Sequence, residues 1–214
     1  RGRPRSAGRL LAESVAVLRV AEHSWRISWP AASLAEAAAL CGDAALAGAA
    51  HDLAMSTLRP YVASATPYIE RSTTWRRFAD GELASARAAA ADLADRAAAR
   101  GLWTIAMVSR HDGLRLGAGR MVSSQLIEAT ERVDGPVSAA MGVHARGVQH
   151  GDGGQLMEAA QAFAGLGMFL YAAEAATHAT DSLRKAGRGP DAAAAAAMAA
   201  EWYGSCEDAV SPVM

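Results

Sequence analysis

The stretch ADGELASARAAAADLADRAAARGL, from Ala79 to Leu102, decides how the rest of the chain is read. Asp80-Gly81 opens it, Gly101 closes it, and nearly everything between is alanine, leucine or arginine, the residues of highest helix propensity. Leu83, Ala86, Ala90, Leu93 and Ala97 recur at steps of three and four and form one apolar stripe. Arg87, Asp92, Asp95 and Arg96 occupy the other faces, where they can stay in water. Small residues on the stripe let a neighbouring helix approach closely. Gly101 can take the left-handed conformation that ends a helix and turns the chain back. The stretch predicts a helix built to pack against a copy of its own kind.

The same grammar recurs outward from it. Gly42, Gly81, Gly119, Gly151 and Gly187 each fall at an expected turn, at separations of 39, 38, 32 and 36 residues. A period in this range marks helix-hairpin repeats. Gly8 extends the series less securely. Pro30 is expected at the first position of a helix, and Asp43 caps another that runs until Pro60 stops it. Thr66-Pro67 starts a helix with Tyr68, Trp75 and Ala79 on one side, and a helix from Leu102 to Leu116 is weakened by Gly113. Gly135-Pro136, Asp152, Met168 and Gly189-Pro190-Asp191 start the remaining ones, the last running toward Cys206. The sum is an all-α chain of about ten antiparallel helices forming a solenoid, with residues 1–214 as one helical-repeat domain. Valine, isoleucine and threonine runs that would signal strands are missing.

Composition narrows the function. The apolar fraction is 51% but aromatics are only 6%, so alanine carries much of the apolar content. A net charge of −1 lacks the basic footprint of a nucleic-acid binder. Arg1, Arg3, Arg5 and Arg9 read as a solvated terminus. Two distant cysteines, Cys41 and Cys206, give no disulfide framework, and no apolar run is long enough for a membrane span; a cytoplasmic protein is expected. No P-loop, nucleophile elbow or dinucleotide fingerprint occurs, so neither a catalytic site nor a cofactor is expected. The six histidines show no HxxxH or HExxH spacing. His144 and His150 stand about 240° apart on a helix, and His51 and His111 read as structural or surface residues, so no metal site is expected. Among the few aromatics, Tyr68, Trp75 and Trp103, with Arg76, are the candidates for lining a ligand or partner groove, where flat rings and a guanidinium meet an anionic or planar guest.

From Ala79 onward the order of residues resembles the helical-repeat region of large actinobacterial LuxR-family transcriptional regulators of MalT-like architecture. The resemblance rests on "GELASARAAAADLADRAAARGLWTIA", on "GPVSAAMGVHARGVQHGDGGQLMEAAQAFAGLGMFLYAAEAATHA", and on Cys206-Glu207-Asp208-Ala209-Val210-Ser211-Pro212, where Asp208 replaces the family's usual glycine. The tetratricopeptide tryptophan-leucine-glycine start is not met, so the repeats resemble degenerate ones. The resemblance implies a TPR-like α–α superhelix, cut from a longer chain with an ATPase upstream and a LuxR-type helix-turn-helix downstream. ATP and DNA belong to that parent protein and to no residue here. The expected partner is a small-molecule effector or a protein, with homo-oligomerisation open; the alternative is a protein–protein scaffold without an effector.

Overall fold

The computed structural model describes residues 2–21, 24–59 and 66–214, with no side-chain description for 24 and 25. Pro60 and Tyr61 lie outside the described residues. Every regular element is helical, with no strand among the described residues. None of these helices is long and apolar enough to cross a membrane. The chain divides into two compact units, residues 3–93 and residues 94–214 with Gly2, the division falling inside one helix.

In the N-terminal unit, α1 (Pro4–Val20), α2 (Ser24–Leu40), α3 (Ala44–Thr57), α4 (Thr66–Glu70) and α5 (Ser72–Ala79) precede α6 (Leu83–Ala99). Helix α2 is the centre, packed by α1, α3, α4 and α5. Ile27, Ala31 and Leu34 are buried along it, and Arg71 grips Glu36 with two hydrogen bonds at 2.6 and 3.1 Å. Asp43 caps α3 as expected, accepting from the Leu46 N–H at 2.9 Å. The apolar stripe of α6 is buried at Ala86, Ala90, Leu93 and Ala97, and Gly101 after it has φ +71°.

Three local expectations need correction. Pro30 sits inside α2, not at its start. Its missing N–H removes one intrahelical bond, a loss that the buried neighbours Ile27, Ala31 and Leu34 outweigh through packing. Gly8 lies within α1, against Leu34 and Ala37 of α2, rather than at a turn. The helix expected from Thr66 breaks at Arg71 into α4 and α5, so Tyr68 and Trp75 do not share a continuous face.

The C-terminal unit holds α7 (Trp103–Gly113), a π-helical turn (Leu114–Ala118), α8 (Arg120–Thr130), α9 (Pro136–His150), α10 (Gly153–Gly165), α11 (Phe169–Lys185) and α12 (Gly189–Gly204). Each helix from α7 to α12 packs on the next, as short glycine-containing turns require. The turn glycines of the sequence series all have positive φ. Asp152 caps α10 by accepting from the N–H groups of Gly154 and Gln155. Leu114, Leu126, Met141 and Phe163 supply the bulk of the core, and alanines of α10 and α11 fill the gaps between.

Candidate functional site

Residues 109–116 are buried without a break, although they include Ser109, Arg110, His111, Asp112 and Arg115. The stretch is almost closed to water, so its polar groups depend on partners within the protein. The π-helical turn after Gly113 widens the helix there, and Gly117 at φ +81° ends it. Such turns recur where a helix serves a site rather than a regular face.

Arg115 is the hub. Its Nε donates to Glu174 Oε2 at 2.7 Å and its Nη2 to Oε1 at 3.1 Å, a bidentate pair between the π turn and α11. Asp112 approaches the same guanidinium at 3.6 Å, and the Tyr171 ring lies 4.4 Å beneath it. Burial opposes the charge on Arg115 most strongly of any single influence, but Glu174, Tyr171 and Asp112 together outweigh it and hold the guanidinium above its ordinary pKa. Glu174 also accepts from Ser211 Oγ at 2.8 Å. That bond ties the segment after α12 to α11, as does Thr177 Oγ1 donating to Met214 Sδ. Tyr203 donates to the carbonyl of Ala209 in the same segment. Glu207 and Asp208 both have left-handed backbones, at φ 53° and 55°. The Cys206 thiol is pushed up to about 11 by burial and then by Glu174.

A row of imidazoles crosses the same unit. His111 Nε2 lies 3.2 Å from His144 Nδ1, and His144 Nε2 lies 3.0 Å from His178 Nδ1. Phe163 and Tyr171 pack against His111. Burial lowers the pKa of His144 well below the usual value, helped by His178 and His111; burial also lowers that of His178, against the pull of Glu174 and Asp181. Both shifts favour the uncharged imidazole at His144 and His178. Its nitrogens face each other in line instead of converging, and no cluster of three metal-ligating side chains occurs among the described residues.

The row ends at a cavity of about 520 Å³ bounded by the π turn, α8, α9, α10 and α11. His178 lines it, along with Arg120, His150, Asp181, Ser182 and Lys185. This volume falls within the range of about 300–1,000 Å³ usual for small-molecule sites.

The four residues expected to line a groove lie elsewhere. Tyr68 is exposed and packs against Trp29 with ring centroids 5.0 Å apart. Trp75 is buried, edge-on to Phe78. Arg76, next along α5, faces Asp80 at 3.4 Å. Trp103, in the other unit, is covered by the Arg132 guanidinium at 5.2 Å. None of the four lines the cavity. Sequence reasoning missed the histidine row, although the signal was present: His111, His144 and His178 stand 33 and 34 residues apart, a single repeat period each time. It treated histidines by spacing within one helix, whereas these meet across helices. Arg115 and Glu174 gave no such signal.

The class defined by this architecture is an all-α helix-hairpin protein with a buried polar row leading to a cavity. No protein-family model, curated protein or solved structure matches the chain.

Proposed function

We propose that the chain is the sensing and interaction segment of a cytoplasmic, LuxR-type transcriptional regulator of MalT-like architecture, a TPR-like α–α superhelix that relays effector binding to ATPase and DNA-reading modules outside it. The segment itself has no catalytic role. The observation that carries the reading is the route from the cavity to the C-terminal segment. His178 lines the cavity; Glu174, one helical turn earlier on α11, holds Ser211. A guest that shifts α11 acts on the segment that, in the resembled family, leads to the DNA-binding module. A ligand moves such an equilibrium only by its differential affinity for the two states; a hundredfold preference is worth about 2.7 kcal/mol. The resemblance from Ala79 onward supports the same reading.

The test is a metabolite panel read by melting temperature and tryptophan fluorescence, run in parallel on Ser182→Phe, which places a ring in the cavity. At least one metabolite raises the wild-type melting temperature, and Ser182→Phe abolishes the shift while its circular dichroism stays helical. A panel without any shift overturns the reading. The scaffold alternative draws on one feature: α1 leaves Leu10 and Val17, two turns apart, more than half exposed. It gains if Leu10→Asp/Val17→Asp dissolves an oligomer seen by light scattering.

A further inference from the structure

The charges around the cavity do not balance. Arg120 at the start of α8 and Lys185 at the end of α11 both line it, and neither makes an ion pair among the described residues. His150 and His178 add two nitrogen-bearing rings. The one lining carboxylate, Asp181, already leans toward Arg184 at 3.8 Å. Helix α8 also begins here, and its cap, Gly119, has no side chain to satisfy the first free N–H groups, whose partial positive charge adds to that of Arg120. A guest that neutralised these groups would carry negative charge.

The histidine row adds a second constraint. A neutral imidazole has one donor nitrogen and one acceptor nitrogen. Three uncharged rings linked Nδ1 to Nε2 share one tautomer, all Nδ1–H or all Nε2–H. His178 spends Nδ1 on His144, which leaves Nε2 as the nitrogen on its opposite edge. An acceptor met there requires Nε2–H. His178 Nδ1 then accepts from His144 Nε2–H, and His144 Nδ1 accepts from His111 Nε2–H.

We propose that this cavity binds a small organic anion, a phosphate ester or a polycarboxylate, with Arg120 and Lys185 as its charge partners and His178 Nε2–H as a donor, and that binding sets the Nε2–H tautomer along the whole row to His111. The inference rests on the reading of the cavity as the effector site. It carries the binding event from the surface to the ring beside Asp112, three residues from Arg115.

Calorimetric titration of the chain with glucose 6-phosphate, citrate and glucose separates the two anion sources from an uncharged guest of similar size. At least one anion binds about tenfold or more tightly than glucose, the scale of one charge-assisted hydrogen bond. Arg120→Gln/Lys185→Gln, at two exposed positions, loses about tenfold or more of that affinity. Nitrogen-15 spectra of the anion-saturated chain place all three histidines in the Nε2–H form. Equal or tighter binding of glucose, absence of binding by both anions, or full affinity in the double variant overturns the anion assignment; an Nδ1–H signal at His144 in the saturated protein overturns the tautomer relay. If uncharged members of the metabolite panel still act through Ser182, the sensing role stands without the anion. If nothing in the panel acts, both fall.

Discussion

Arg115 and Glu174 are each about 1% exposed, so two full charges have been taken out of water and depend on one another. Removing one partner of such a pair costs about 3–5 kcal/mol, because the other is left buried without compensation. The two deletions are not equivalent here. Glu174→Gln leaves Arg115 beside Asp112, whereas Arg115→Met takes the guanidinium away from two buried carboxylates at once. Urea denaturation should therefore show Arg115→Met as the more destabilising variant; the reverse order would mean that Asp112 takes no part. Glu174→Gln also weakens the hold on Ser211, so Cys206 should be alkylated faster while Cys41 keeps its rate. None of this was legible beforehand. The partners are 59 residues apart, and a lone arginine in a helix pattern looks the same whether it faces water or a carboxylate.

Among the elements, the legible features were those in which a residue acts on its own backbone. Asp43 and Asp152 cap, Pro136 and Pro190 start helices, and the turn glycines take positive φ. Pro30 was misread because packing by α1, α3 and α5 on α2 overrides a local preference. The helix expected over Leu102–Leu116 is there, with a π turn at its end that no local pattern announces. Close helix approach can be tested by two substitutions of one kind. At Gly153 a Cβ would stand 2.5 Å from Leu183 Cγ, while at Gly48 it would meet nothing within 4 Å. Gly153→Ala should cost about 1–3 kcal/mol through overpacking, and Gly48→Ala should stabilise by up to about 1 kcal/mol through helix propensity. Thermal melts of the two variants should move in opposite directions from wild type; equal shifts would refute the close packing of α10 on α11.

For the molecule as a whole, the buried histidines set a pH dependence. His51, lowered by burial and then by Arg76, joins His144 and His178 in having a folded-state pKa beneath the ordinary 6.5. Below that value the unfolded chain takes up protons that the folded chain refuses, so folding weakens as pH falls. The contribution is complete above about 6.5 and declines on acidification toward the lowered values. The melting temperature should drop between pH 7.5 and pH 5.5, a window in which ordinary carboxylates stay charged. His178→Gln should make the drop shallower. A melting temperature independent of pH across this window would mean that these three histidines accept protons in the folded chain.

Propensity, capping and the recurring glycines act through neighbours in the chain, so the sequence alone determined that the protein is helical, where most helices begin and end, and that hairpins repeat with a period in the thirties. The meeting of His111 with His144 and His178, the clasp of Arg115 on Glu174 and Ser211, and the opening of a cavity at the end of that row were decided by tertiary structure. Those partners are one or two repeats apart, and only packing fixes which faces of α7, α9 and α11 look at each other.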